Sequence, residues 1–205
     1  MSDAAEAFVR CIAQGGVAVF PADTVYGLAC DPEDERAVAK LYALKGRPPD
    51  KPAAVMWFDR ARALAALSEL GERTRAAFEA LTPGGVTLLV PNPRGRFPLA
   101  GGPAGEGGAL GVRIPAVPLL QGVPLVVLQS SANHAAGPDA RALDEVPQEI
   151  RAGADLVLDA GPLPGTPSTV IDLRDYERDG RWRIVREGAV PAGAVASALG
   201  IVGRR

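Results

Sequence analysis

Hydrophobic residues follow two different spacings along the chain, and these spacings predict a mixture of helices and strands. Helical spacing predicts helices over residues 3–14, 33–44, 60–70, 72–81, 144–152 and 192–199. Short apolar runs bounded by Gly, Pro or small polar residues predict strands over residues 17–20, 53–58, 86–90, 109–115, 125–128, 156–158, 169–173 and 183–185. The two kinds of element are mixed without a repeat or a strict alternation. We therefore expect one α/β or α+β domain over residues 1–205, with a mixed sheet.

The length and composition agree with this expectation and exclude several classes of protein. With 47% hydrophobic but only 5% aromatic residues, the core of the 205-residue chain must consist mainly of Ala, Val, Leu and Ile. The formal net charge of −2 gives no overall basic field that would attract nucleic acid, although a local basic surface is compatible with it. The N-terminal segment "MSDAAEAFVR" is polar and acidic rather than a signal peptide. No apolar run reaches the ~18 residues that span a bilayer, so we expect a cytosolic protein.

Few residues are available for metal binding or for nucleophilic catalysis. The two cysteines, Cys11 and Cys30, form no Cys-x-x-Cys pair, and we expect both to be reduced core residues. His134 is the only histidine, so a zinc site is not expected. Any catalysis that pairs histidine with Ser or Cys would depend on this one residue.

Polar residues cluster where four of the predicted strands begin or end. The clusters read "PADTVYG" (21–27), "PGGVT" (83–87), "QSSAN" (129–133) and "GTPST" (165–169). Each cluster alone is typical of turns and helix caps. Four of them at the ends of strands indicate a polar ligand, because open α/β sheets bind ligands at such positions.

Three cations occupy positions that suit anionic ligands. Lys45 and Arg47 follow a predicted helix, where they could cap its C-terminal end for about 0.3–1 kcal/mol. Gly46 and the double proline fix the backbone around Arg47, and a guanidinium beside an ammonium suits a polyphosphate. Arg113 lies within the apolar strand "GVRIP", and because a buried arginine needs an anionic partner, it is a candidate for binding a carboxylate.

The glycine pattern excludes the two common nucleotide-binding motifs. The chain contains neither G-x-x-x-x-G-K-[ST] nor G-x-G-x-x-G. The Gly-rich segment 101–108 is either a plain surface loop or a mobile active-site loop. If the chain binds ATP, it does so by neither common route.

Six segments occur in the order and roughly the spacing of one known family. They read "FPADTVYGLACDP…LYALKGRPPDKP", "LTPGGVTLLV", "GVRIPAVPL", "QSSANHAAG", "GTPSTVIDL" and "WRIVREGAV". From about residue 5 to about residue 190, the chain resembles the YrdC-type threonylcarbamoyl-AMP synthases, in the short form without an extra C-terminal domain. The resemblance implies a single α/β domain with a twisted mixed sheet flanked by helices and an open concave cleft.

The same resemblance implies an activity and its participants. The expected reaction makes threonylcarbamoyl-AMP and pyrophosphate from L-threonine, bicarbonate and ATP, with Mg²⁺ on the triphosphate. The product would serve a downstream threonylcarbamoyl-transferase complex that modifies tRNA position 37, and tRNA or double-stranded RNA is a possible partner. Such chemistry needs positioning and neutralisation of phosphate charge more than acid or base groups, so His134 is not required.

The resemblance also assigns roles to individual residues. Lys45 and Arg47 are the implied catalytic residues and would contact the ATP phosphates. The further implied nucleotide contacts are Thr87, Asn133, Arg141 and Arg186. The implied contacts of threonine are Thr24, Tyr26, Arg113, Ser131 and Ser168, with Arg113 pairing with the threonine carboxylate.

The chain departs from the family pattern at three places on the implied amino-acid side. Ala22 stands where the family usually has Thr, Met56 where many members have His, and Ala135-Ala136 where Ser-Gly usually follows Ser-Ala-Asn. One alternative is therefore a diverged paralogue that binds nucleotide or RNA without threonine-specific catalysis. Its candidate RNA contacts are Arg60, Arg62, Arg73 and Arg75.

A second alternative is a carbamoyl transferase like the related domain of hydrogenase-maturation proteins. The zinc-finger and acylphosphatase-like parts that accompany that domain are not found in this sequence, which argues against it.

Overall fold

The computed structural model describes residues 1–48, 50–100 and 108–200. Its strands are β1 Ala18–Pro21, β2 Tyr26–Cys30, β3 Ala54–Trp57, β4 Val86–Pro91, β5 Ala109–Arg113, β6 Val126–Ser131, β7 Leu156–Val157, β8 Thr169–Asp172 and β9 Arg183–Arg186. They form one sheet in the order β7-β1-β2-β6-β3-β5-β4-β8-β9. The pairs β1–β7, β3–β5 and β4–β8 are parallel, and the other neighbours are antiparallel. The predicted α/β fold with a mixed sheet is confirmed.

Seven α-helices flank the sheet in the described part of the chain. They are α1 Asp3–Ala13, α2 Glu35–Lys45, α3 Arg60–Ala66, α4 Glu72–Leu81, α5 Gln148–Gly153, α6 Tyr176–Asp179 and α7 Ala192–Leu199. The side chain of Asp34 caps the start of α2 by accepting hydrogen bonds from two backbone N–H groups. Gly46 ends α2 with a left-handed φ of 61°, which glycine adopts without a steric penalty. This ending places Lys45 in the last helical turn and Arg47 just beyond it.

The two faces of the sheet carry separate apolar clusters, because successive strand residues point to opposite sides. The larger cluster packs under α2 to α7 and includes Val19, Leu28, Val55 and Leu128. The smaller one packs under α1 and includes Ala18, Ala29, Met56 and Val127. Three rings form its centre, with centroids 5.5–6.3 Å apart: Phe8, Phe20 and Phe58. Because only α1 and a 3-10 turn at Pro118–Leu120 belong to the smaller cluster, part of this face stays open.

The structure differs from the sequence prediction mainly at β2 and after β6. No strand was predicted at Tyr26–Cys30, because Gly27 and the nearby polar residues break the strand pattern. All five of these residues are buried between β1 and β6, so tertiary pairing overrides the local signal. The predicted helix over residues 144–152 is a 3-10 turn, Leu143–Glu145, followed by α5. Pro147 separates them because it cannot donate a backbone hydrogen bond.

Three further expectations concern the cysteines, the membrane and the Gly-rich segment. Cys30 is buried, Cys11 is half-buried, and neither takes part in a disulfide. Within residues 1–48, 50–100 and 108–200, every helix is too short or too polar to cross a bilayer. Except for Gly108, the Gly-rich segment 101–108 lies outside the described residues.

Candidate functional site

The open part of the sheet beside the smaller cluster forms a cleft of about 690 Å³, a size typical of small-molecule sites. Small residues of three strands line its floor: Gly27 of β2, Ala54 of β3 and Gly111 of β5. Gly27 and Ala54 lie two residues from Ala29 and Met56, so they face the same side as the smaller cluster. A Cβ atom on Gly111 would lie 3.2 Å from the Cβ of Ala54. The concave shape follows from missing side-chain volume at these positions.

Arg113, at the end of β5, is a buried cation with an internal partner. Its side chain is 4% exposed, and Nη2 donates to Asp23 Oδ1 at 2.5 Å and to Thr24 Oγ1 at 3.0 Å. Asp23 Oδ2 accepts a hydrogen bond from the backbone N–H of Ala116 at 3.1 Å. Burial lowers the pKa of Arg113, and the carboxylate of Asp23 opposes that shift. The buried Nε has no hydrogen-bond partner among the described residues.

A second cation, Arg186, stands beside two hydroxyl groups on the same wall. Thr87 of β4 and Ser168, just before β8, share a hydrogen bond of 2.8 Å between their hydroxyl oxygens. Arg186 Nη2 donates to the backbone oxygen of Ser168 at 2.7 Å and to its Oγ at 3.2 Å. The charge of Arg186 also lowers the pKa of Arg113. Two positive charges thus act on one region of the cleft, where an anion would be stabilised.

The ammonium group of Lys45 is buried within the turn that follows β6. Nζ donates to Asn133 Oδ1 at 2.6 Å, to Ser131 O at 2.7 Å and to Asn133 O at 2.9 Å. The amide of Asn133 donates in turn to Gly137 O at 2.5 Å. Burial, and then the charge of Arg47, lower the pKa of Lys45 to about 8. Lys45 therefore fixes the turn that presents Ser131 to the cleft.

Arg47 lies on the surface of the cleft, held by backbone oxygens of the segment before β3. Its Nη2 donates to Pro52 O, and its Nε donates to Lys51 O at 3.3 Å. The guanidinium carbon lies 5.7 Å from the centre of the Tyr42 ring, and Nη1 is 3.5 Å from Ser130 Oγ. These contacts orient the planar donor group. Among the described residues no carboxylate pairs with Arg47, which leaves its charge available to a ligand.

Tyr26 is among the residues that line the cleft, but its hydroxyl group forms hydrogen bonds with residues 159–161. The hydroxyl lies 2.6 Å from Asp159 Oδ1 and 3.0 Å from Gly161 O, and it accepts a hydrogen bond from Ala160 N at 3.1 Å. Burial and the hydrogen bond to Asp159 raise the pKa of Tyr26. The Tyr26 side chain is fully buried and packs in the larger apolar cluster.

The structure brings most of the predicted site residues to one cleft. Those that line it are Tyr26, Arg47, Thr87, Arg113, Ser131, Ser168 and Arg186. Three others do not line the cleft but form hydrogen bonds to residues that do: Thr24, Lys45 and Asn133. Arg141 pairs with Glu145 at 3.2 Å on an exposed surface and does not line the described cleft.

Sequence reasoning missed several residues of the site. Asp23 is the partner of Arg113, and its position in "PADTVYG" was the available signal. Asp139 is the single acid among the described lining residues, and it raises the pKa of Lys45 against the effect of burial. Nothing in the sequence assigned Gly27 or Gly111 to the site, yet both line its floor.

The arginines proposed to contact RNA are largely used inside the protein. Arg60 donates to Thr82 O at 2.6 Å, and Arg73 donates to Tyr176 O at 3.1 Å. The guanidinium of Arg75 donates to the backbone oxygens of three leucines, Leu64, Leu67 and Leu70. These side chains satisfy carbonyl groups at helix ends and do not form a free basic surface.

Comparison with known proteins places this geometry in a family. Residues 10–188 match the Sua5/YciO/YrdC family, which is described as "Telomere recombination". The chain is 35% identical over 177 residues to threonylcarbamoyl-AMP synthase of Chromohalobacter salexigens, covering 82% of this chain and 92% of that protein. It is also 35% identical over 175 residues to the protein of the same name from Stutzerimonas stutzeri, covering 82% and 91%.

Two solved structures share the fold. P. abyssi Sua5 complexed with L-threonine is 25% identical with a TM-score of 0.79, and the match covers 97% of this chain but only 58% of that one. The chain thus spans somewhat more than half the length of that protein. E. coli YciO, at 23% identity, has a TM-score of 0.73 over 94% of this chain and 92% of that one.

Proposed function

The chain belongs to the Sua5/YciO/YrdC family, and on that premise we propose that it is a threonylcarbamoyl-AMP synthase, folded as one domain over residues 1–205. The enzyme would use L-threonine, bicarbonate and ATP, the reaction implied by relatives of that name at 35% identity. The observation that carries the proposal is one cleft faced by three guanidinium groups, those of Arg47, Arg113 and Arg186. Two anionic ligands, a triphosphate and an amino-acid carboxylate, suit such a cleft.

The nucleotide would lie along the wall formed by Arg47 and the turn after β6. Arg47 would donate to the phosphates, and Lys45, from behind the lining, would act through its charge and through the turn that it fixes. Thr87 and Arg186 would hold the nucleotide from the facing wall, and Asn133 would hold it from the turn. Arg141 would need to leave Glu145 to take part.

The amino acid would bind near Arg113, with its carboxylate on the guanidinium. The hydroxyl groups of Ser131 and Ser168 would surround it together with Tyr26, and Arg113 would orient Thr24. Ala22 lines the same region and provides no hydroxyl group. Met56 is buried in the smaller apolar cluster beside Arg113, its register partner on the neighbouring strand, and it does not line the described cleft.

The chemistry requires mainly positioning and charge neutralisation. The carbamate oxygen of N-carboxy-threonine would attack the α-phosphorus of ATP, and the bond to pyrophosphate would break as the new bond forms. The guanidinium groups would stabilise the negative charge that develops on the phosphate oxygens. The described residues contain no group of three or more potential metal ligands, so Mg²⁺ would be held mostly by phosphate oxygens.

The product would serve modification of tRNA position 37 in the cytoplasm. A downstream transferase complex would take the threonylcarbamoyl group from the adenylate. Direct contact with tRNA is part of the proposal only as a weak, salt-dependent interaction, because three of the four candidate arginines, Arg60, Arg73 and Arg75, are engaged internally, whereas Arg62 is exposed.

Pyrophosphate release from ATP and bicarbonate, with each amino acid in turn, tests the proposal. We expect release with L-threonine only. Arg47→Ala should weaken ATP binding by about tenfold or more, since a charge-assisted hydrogen bond contributes about 1.5–3 kcal/mol. Arg178→Ala is the matched control, because Arg178 is an exposed arginine paired with Asp175 outside the cleft. Absence of release with every amino acid refutes the proposed activity, and unchanged ATP affinity in both Lys45→Ala and Arg47→Ala refutes the assigned nucleotide wall.

A further inference from the structure

The segment between β7 and β8, residues 159–167, reaches the cleft without forming a helix or a strand. Its last residue, Pro167, and the following Ser168 line the cleft. Because it has no helical or ladder hydrogen bonds of its own, its position depends on contacts with other elements. The placement of Ser168 is therefore determined by whatever anchors this segment.

The first anchor is the hydroxyl group of Tyr26, which contacts three consecutive residues. It lies within 2.6–3.1 Å of Asp159 Oδ1, Ala160 N and Gly161 O. A phenol has one hydrogen to donate, and the shortest of these contacts is the one to the carboxylate. Since burial and Asp159 both raise the pKa of Tyr26, the phenol remains protonated and able to donate at neutral pH.

Asp159 also shapes the segment locally. The same atom, Oδ1, accepts a hydrogen bond from the backbone N–H of Gly161 at 2.9 Å, which closes an Asx-type turn. Gly161 has a φ of 75°, a left-handed conformation that the turn requires and that glycine adopts freely. One carboxylate oxygen thus joins the turn to the hydroxyl group of Tyr26.

Further backbone hydrogen bonds hold the rest of the segment, up to Ser168. Leu163 N donates to Arg141 O at 2.7 Å, and Gly165 N donates to Thr24 O at 2.9 Å. At the far end, Pro167 O accepts a hydrogen bond from Ala189 N at 2.8 Å. The segment therefore crosses the "PADTVYG" stretch and fixes Ser168 against Thr87.

We propose that Asp159 is a positioning residue for the amino-acid side of the cleft: it joins the segment 159–167 to Tyr26 and so holds Ser168 in place at the cleft. This inference rests on the proposed function, because it assigns Asp159 to the threonine half of the site and not to the ATP half. Asp159 is exposed and touches no ligand; it acts through Tyr26 and the backbone of Gly161.

Two substitutions and a matched control test this assignment. Asp159→Ala removes the acceptor, whereas Asp159→Asn keeps an oxygen acceptor and removes only the charge. Asp31→Ala is the control, because Asp31 closes the same kind of turn, with Oδ1 accepting from Glu33 N at 2.8 Å, and contacts no tyrosine in the described structure. The protein has three tyrosines, so isotope-labelled tyrosine Cζ gives three NMR signals, and Tyr26→Phe identifies that of Tyr26.

We expect Asp159→Ala to shift the Tyr26 Cζ signal and to raise the dissociation constant of L-threonine about tenfold, as for loss of one hydrogen bond to a charged group. The dissociation constant of ATP alone should stay within about twofold, and Asp159→Asn should restore most of the threonine affinity. Asp31→Ala should alter neither the signal nor either affinity.

An unmoved Tyr26 signal in Asp159→Ala overturns the inference, because the hydroxyl would then not depend on the carboxylate. A moved signal with unchanged threonine affinity, or an equal loss of threonine and ATP affinity, also overturns it. Failure of the proposed function is a different result: in that case the wild-type protein itself binds no L-threonine.

Discussion

Replacing Asp23 with alanine should destabilise the protein by about 3–5 kcal/mol, because the change leaves a buried guanidinium without its carboxylate. The side chains of Arg113 and Asp23 are 4% and 9% exposed, and 2.5 Å separates Nη2 from Oδ1. Two unit charges about 4 Å apart attract by about 4 kcal/mol at an effective dielectric constant of about 20. That attraction offsets the cost of burying Arg113 and is lost in Asp23→Ala.

Equilibrium unfolding in urea, followed by circular dichroism, measures the effect. Asp175→Ala is the control, because Asp175 pairs with Arg178 at side-chain exposures of 50% and 68% and should contribute about 0–1 kcal/mol. The double variant Asp23→Ala/Arg113→Met should recover most of the loss, since it removes both charges and fills the space with an apolar side chain.

The reasoning is refuted if Asp23→Ala destabilises no more than Asp175→Ala does. It is also refuted if the double variant is less stable than Asp23→Ala alone, because the unpaired charge would then not be the cause. Either result would mean that water or another group compensates Arg113 when its partner is absent.

Three further predictions concern stability. The pKa of Lys45 is depressed from its ordinary 10.5 to about 8, so between these pH values the unfolded state binds more protons than the folded state does. The free energy of unfolding should therefore rise from pH 8 to pH 10.5. Lys45→Met should flatten that rise when unfolding is measured as a function of pH. Gly188→Ala should destabilise the protein by about 2 kcal/mol or more, because the new Cβ would lie 2.2 Å from Pro167 O. In the control Gly193→Ala the new Cβ meets no atom within 4 Å, and this change should stabilise the protein by about 0.5 kcal/mol. Equal melting temperatures for the two variants would contradict this. Phe8→Ala should cost about 3–5 kcal/mol in urea unfolding, and a loss below about 1 kcal/mol would show that the three-ring contact under α1 is dispensable.

The regular elements could be predicted from the sequence because their signals are local. The helix predicted over residues 72–81 coincides with α4, Glu72–Leu81, where the apolar face and the preceding glycine both lie within the element. β2 escaped prediction for the opposite reason. Its residues lie between β1 and β6, which pair with its two edges, and neither strand is visible in a window around Gly27.

The residues of the site, too, could be predicted where their signal is local and could not where it depends on distant parts of the chain. The nature of Arg113 as a buried cation in need of an anion could be predicted, because one charge in an apolar run is a local signal. Its partner, Asp23, lies 90 residues away in the chain and is brought to it only by the sheet. Lys45 was expected to face the ligand, and its burial among the oxygens of residues 131 and 133 depends on how α2 meets the turn after β6. Hydrophobic and polar patterns along the chain do not show which distant elements will pair.

The position of β6 between β2 and β3 determines when the floor of the cleft can be joined during synthesis. β2 and β3 are translated early, but they share no hydrogen bonds with each other; Gln129 of β6 pairs with Ala29 on one side and Ala54 on the other. A nascent chain shorter than this strand therefore has neither a joined floor nor a binding surface, and it presents the unpaired edges of two apolar strands. Closing the sheet over such sequence separations is slow. Binding competence arrives late on the ribosome, and the interval before it is when the chain depends most on chaperones.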